Sequence, residues 1–78
     1  MKIELANCTA ILLAEIADPG FDRDSVAQTY AFAMLSSEPT DWGAVNWAIL
    51  ARWSINALNY IKTRAHKLVE AKRREAAT

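Results

Sequence analysis

Apolar residues recur at helical spacing in three stretches of this chain. Leu5, Cys8, Leu12, Leu13 and Ile16 mark the first and predict a helix near residues 3–17. Asp18-Pro19-Gly20 ends it, because proline disfavours helix in the residue before it and glycine tolerates a left-handed turn. The second stretch predicts a helix over residues 23–36, with a face of Val26, Tyr30, Ala33 and Met34 flanked by Phe32 and Leu35. Asp22 is placed to cap it, and Phe21 and Val26 occupy the two positions of a hydrophobic staple. Ser25 with Gln28 offers an alternative capping box. Ser36-Ser37-Glu38-Pro39 then breaks the pattern.

The third stretch has no proline after Pro39. Thr40 is the expected cap, with Asp41 favourable in the positive first turn. The predicted helix covers residues 41–74, which is about 50 Å at about 1.5 Å per residue. A compact chain of this length has a diameter of only about 30 Å. The helix must therefore break, near Ser54–Asn59, or lay its far end on another chain. Residues 75–78 are expected to fray. The prediction is one all-α domain over residues 1–78: a helical hairpin or bundle of three helices, two short and one long and C-terminal.

Read by face, the third helix separates two surfaces. Arg52, Lys62, His66, Lys67, Arg73 and Arg74 lie on a polar, mostly basic stripe. Trp53, Tyr60, Ile61 and Leu68 lie on the opposite side, and Trp47, Leu58 and Val69 widen that arc beyond what one neighbouring helix covers. The excess apolar surface predicts a homodimer built on this helix, or a protein partner. Tryptophan is enriched in interface hot spots. Of Trp42, Trp47 and Trp53, Trp47 lies off the line of the other two and is the least easily covered.

Composition adds that 53% of residues are hydrophobic, too many for disorder. Two glycines and two prolines leave little material for turns. The neutral total charge hides a division. Seven acids face two bases through Asp41, and seven bases face two acids from Trp42 onward, a net of −5 followed by +5. Such asymmetry points to a partner: the same chain, a second protein or a polyanion.

Catalytic chemistry is not expected. The single cysteine, Cys8, sits among apolar residues and fits a buried thiol in a reducing compartment. His66 is the only histidine, and its neighbour Glu70 is one turn on among lysines and arginines, as in a surface ion pair. Asp18, Asp22 and Asp24 lack the glycine and closing glutamate of a calcium loop. No glycine-rich phosphate loop, cofactor motif or metal-ligand spacing is present. Glu4 and Glu15 bracket the first apolar run, a poor export signal, and no run of about 20 apolar residues is available to span a membrane. A cytoplasmic setting follows. Nucleic-acid binding through the basic stripe is the runner-up reading, against a near-neutral isoelectric point and no helix-turn-helix. A purely structural homodimer is the third.

One segment has a familiar pattern. Glu38-Pro39-Thr40-Asp41-Trp42, Val45-Asn46, Ala48-Ile49, Arg52-Trp53-Ser54, Ala57-Leu58, Ile61-Lys62 and Arg64-Ala65 together resemble small uncharacterised proteins of phages and prophages, Mu-like ones included. The resemblance spans roughly residues 25–68. It implies a helical, non-enzymatic accessory protein in the cytoplasm of a bacterial host, modulating a host protein as anti-CRISPR proteins do.

Overall fold

The computed structural model describes residues 7–77, and these form four helices and no strand. They are α1 (Cys8–Ala17), α2 (Arg23–Leu35), α3 (Trp42–Arg52) and α4 (Ile55–Ala77). The all-α expectation holds, but the long third helix is two helices.

Each boundary has a local cause. Asn7 caps α1, its Oδ1 accepting the Ala10 N–H at 2.9 Å. The predicted start near residue 3 falls outside the described residues. Asp18 is extended, as a residue before proline must be, and its Oδ1 accepts the Gly20 N–H at 2.8 Å. That side-chain turn replaces the left-handed glycine expected here, since Gly20 has no positive φ. Asp22 caps α2 through the Ser25 N–H at 2.8 Å, and the staple forms with Val26 fully buried and Phe21 packed on the core. The α3 cap is Asp41, whose Oδ1 accepts the Ala44 N–H at 3.1 Å, and not Thr40. Asp41 places its carboxylate where the first free N–H groups point, so it does the work expected one residue earlier.

The break falls at Trp53 and Ser54, at the near edge of the window the length argument predicts. Trp53 leaves the helix with φ −116° and ψ −105° while its N–H still bonds Ile49 O at 2.8 Å. Ser54 restarts it: its carbonyl accepts the Leu58 N–H at 3.0 Å and its Oγ the Ala57 N–H at 3.3 Å. Beyond the break α4 continues to Ala77, so residues 75–77 are helical and not frayed, whereas Thr78 lies outside the described residues.

Packing interleaves the four helices. α3 lies on α1 and α4 on α2, and α1–α2 and α3–α4 contacts close the ring. Within each main pair the helices run the same way. Asp41 at the start of α3 donates its N–H to Thr9 at the start of α1, and Arg52 at the end of α3 reaches the end of α1. Tyr60 near the start of α4 bonds Asp24 near the start of α2. The product is a slab of 38 × 37 × 22 Å, two helices thick. Its core is Leu12, Val26, Val45, Ile49 and Ile61, with Cys8 buried among them.

Ile61 is completely buried, so Ile61→Ala is expected to cost about 2–5 kcal/mol. Ser54→Ala removes the restart cap and should cost about 1 kcal/mol. Urea unfolding measures both, and a neutral Ser54→Ala would show that the break does not depend on its hydroxyl.

Candidate functional site

The break separates the predicted basic stripe from its first member. Arg52 ends α3, and its guanidinium donates to the carbonyl oxygens of Ile16 and Asp18, the latter at 2.8 Å. Those carbonyls close α1, where the helix dipole is negative and the acceptors lack intrahelical donors. The same guanidinium lies 4.4 Å from the Trp53 ring centroid. Arg52 is thus a tie between α1 and α3, set apart from the bases of α4, and it lines the groove between α1 and α3. Sequence spacing could not show this, because the acceptors lie 34 and 36 residues away.

The remaining basic-face residues do share α4. His66, Lys67, Arg73 and Arg74 are exposed, and Lys62 is half-buried. His66 borders a recess with Tyr30, Met34, Glu38 and Trp42.

The predicted apolar contact residues divide. Leu58, Ile61 and Val69 are core residues, because α4 turns back and buries them inside the chain. They are not free anchors, and a homodimer built on them loses its basis. Trp53 and Leu68 are half-buried against the core. Tyr60 is exposed but engaged: its hydroxyl donates to Asp24 Oδ1 at 2.5 Å, and the Arg23 guanidinium lies 4.9 Å from its ring centroid. Trp47 alone of this set stands in solvent on the outer side of α3, 73% exposed. One helical turn further, Ala51 lines an apolar groove of about 530 Å³ with Ala48, Leu13, Ile16 and Pro19. Trp47 therefore rises beside the α1–α3 groove.

Three exposed apolar residues were not singled out from sequence as contact residues. Phe32 is 59% exposed, Leu35 43% and Ile55 57%. The sign was available for two of them, since Phe32 and Leu35 fall beside the Val26–Tyr30–Ala33 line. Tyr30 also carries more than packing. Its hydroxyl donates to Asn46 Oδ1 at 3.1 Å and its ring meets Trp42 at 4.6 Å between centroids. Burial raises its pKa above the ordinary value.

Among the described residues no three His, Cys, Asp or Glu side chains gather as metal ligands, and no helix is long and apolar enough to cross a membrane.

Two titrations report on the helix junctions. The hydrogen bond to Asp24 raises the Tyr60 pKa above its ordinary value of 10.0. The folded chain holds that proton more tightly than the unfolded one. Its contribution is complete below pH 10.0 and is lost as pH rises through the raised value. Asp24→Asn is expected to bring the Tyr60 transition back down in an ultraviolet phenolate titration. Asp22 behaves oppositely, because the Ser25 N–H lowers its pKa from 3.8. Its contribution is present above that value and is lost as pH falls through the lowered one. For the α1–α3 tie, Arg52→Ala should cost about 1.5–3 kcal/mol, whereas Lys67→Ala should stay within about 0.5 kcal/mol. Equal losses in denaturant unfolding would return Arg52 to the solvated stripe.

Comparison of the chain with protein-family models, curated proteins and solved structures found no match.

Proposed function

We propose that this chain is a non-enzymatic protein-interaction module whose contact with its partner centres on Trp47. The observation that carries the reading is the exposure of Trp47 beside the α1–α3 groove. A tryptophan in the core would be explained by packing. This one contributes little to the fold and keeps a large apolar area in water. Covering its exposed part, of order 150 Å² at about 25 cal/mol/Å², is worth roughly 4 kcal/mol. The groove supplies room for apolar side chains next to it, the arrangement of an anchor and pocket in which hot spots occur. The phage-like pattern over residues 25–68 supports an accessory role in a bacterial host cytoplasm, with a host protein as the partner.

The test is quantitative capture from bacterial lysate with wild-type chain and Trp47→Ala. The variant should keep its helical circular dichroism and unfolding midpoint while the partner's enrichment falls at least about tenfold. If every captured protein is retained equally by the variant, Trp47 is not the contact. If the variant unfolds, Trp47 belongs to the fold.

A second reading rests on α4. Between Lys62 and Arg74 it carries six bases against Glu70 alone, and it extends past the last residue of α2 that packs on it. We infer that polyanion binding, if it occurs, uses Lys62, Lys67, Arg73 and Arg74 without Arg52. Four phosphate contacts correspond to a slope of about −3.6 in log affinity against log salt on duplex DNA. A gel shift at low salt with no retardation of DNA or RNA removes this reading.

A further inference from the structure

The four helices divide into a charged layer and an uncharged one. The exposed positions of α2 and α4 include Arg23, Asp24, Arg64, Lys67, Glu70 and Lys72. On α1 the exposed residues are Ala10, Ala14 and Ala17, and on α3 they are Gly43, Trp47 and Ala51. Each set recurs every three or four residues and so forms one line along its helix. The two lines meet at the α1–α3 groove, which Ala17 and Ala51 both line. The outward face of a surface helix normally carries charged or polar side chains, and a helix without them is a covered one. Size limits what covers this face. Its helices have 10 and 11 residues, so it is about 15 Å long and, at about 10 Å per helix, about 20 Å wide. That footprint of about 300 Å² falls well short of the roughly 800 Å² that each subunit of a stable dimer covers. One helix of about three turns has the length and width of the groove. Charge adds a direction. Among the described residues Arg52 is the one charged side chain lining the groove, at the end where α1 and α3 finish. Its bonds to Ile16 and Asp18 both leave from Nη1. Nε and Nη2 have no acceptor among the described residues, and an arginine in that state suits a carboxylate. The bases that would hold an apolar face on an anionic lipid surface lie on α4, in the other layer.

We propose that the α1–α3 groove takes a single amphipathic helix of the protein partner, with a bulky apolar side chain seated beside Trp47 and a carboxylate over Arg52. The inference rests on the reading of Trp47 as the contact, and it states the chemistry of what meets that contact. The positions of the docking helix that face the groove are uncharged, because a charge there would lose its water with no opposite charge to meet. The Arg52 end is the exception, and the acidic residue of the partner belongs there. Alanine and glycine along the exposed lines of α1 and α3 leave room above the backbone. The large side chains therefore come from the docking helix, and Trp47 alone reaches back against it.

The test is a titration of the full, isotope-labelled chain with a synthetic helix-stabilised peptide about four turns long, followed by amide chemical shifts. The peptide carries leucine at i, i+4 and i+7 and one glutamate a turn beyond the last leucine. A scrambled peptide of the same composition is the control. Saturable shifts are expected at Ala14, Ala17, Trp47 and Ala51, with Gln28 and Phe32 of α2 left in place. Exchanging the peptide's glutamate for glutamine should weaken binding about fivefold or more. Ala17→Glu and Trp47→Ala should each weaken it about tenfold or more. Ala14 is exposed in the middle of α1, so Ala14→Glu replaces Ala17→Glu if the latter loses its helical circular dichroism. Absent shifts, shifts confined to α2, or equal binding of the scrambled peptide overturn the proposal. So does a dimer in sedimentation velocity that Ala17→Glu abolishes, which makes the occupant a second copy. Binding to phosphatidylglycerol vesicles that Trp47→Ala abolishes overturns it as well. Lysate capture that depends on Trp47 but is indifferent to Ala17→Glu and Ala14→Glu leaves Trp47 as the contact and excludes the helix in the groove.

Discussion

The break at Trp53 and Ser54 decides the architecture. A helix running unbroken from Trp42 to Ala77 would present apolar residues along far more length than α1 and α2 can cover. Turning the chain at one residue removes the excess. α3 takes its place on α1, α4 takes its place on α2, and Leu58, Ile61, Ala65 and Val69 become interior. The break costs little because Ser54 supplies a cap for the new helix, and Trp53 stays packed on the core as it leaves the old one. Arg52 then stands at the end of α1, where its charge meets the carbonyl oxygens of Ile16 and Asp18 at the negative pole of the helix.

Charge in this molecule acts mainly on helix ends. Asp22 and Asp41 cap α2 and α3, Asp18 closes the turn after α1, and Asp24 holds the Tyr60 hydroxyl. Arg52 serves the opposite pole of α1, and Arg23 covers the Tyr60 ring. Much of the acidic half, and the first base of the basic half, is thereby accounted for by local polarity. Glu15 lies in the groove between α1 and α2, where its Oε1 is buried with no hydrogen-bond partner among the described residues.

Legibility from sequence followed the range of each interaction. The caps of α2, the end of α1 and the core faces were readable because their partners lie within one or two turns. The break was readable only as a length conflict, which located it without showing which residue yields. The tie made by Arg52 was not readable, because a helical wheel assumes one continuous axis and cannot see carbonyls from another helix. Leu58 and Val69 count as excess apolar arc for the same reason: a wheel drawn on one helix from Trp42 onward cannot let α3 pack on α4, as it does. Trp47 was readable because its displacement from Trp42 and Trp53 survives within α3 alone. The apolar ridge of α2 shows in sequence only as two residues beside a line, and its neighbour Glu15 gives no sequence sign of lacking a donor.

Parallel pairing of α1 with α3 and of α2 with α4 has a kinetic consequence. Helical domains usually fold quickly because sequence neighbours pair. Here the side chains that join each pair are 32 to 36 residues apart. Loop closure must precede most of the core, and α2 has no main packing partner until α4 exists. During synthesis, α1 and α2 would leave the ribosome with their apolar faces uncovered and wait for α4. α4 is therefore the helix that commits these four to their fold.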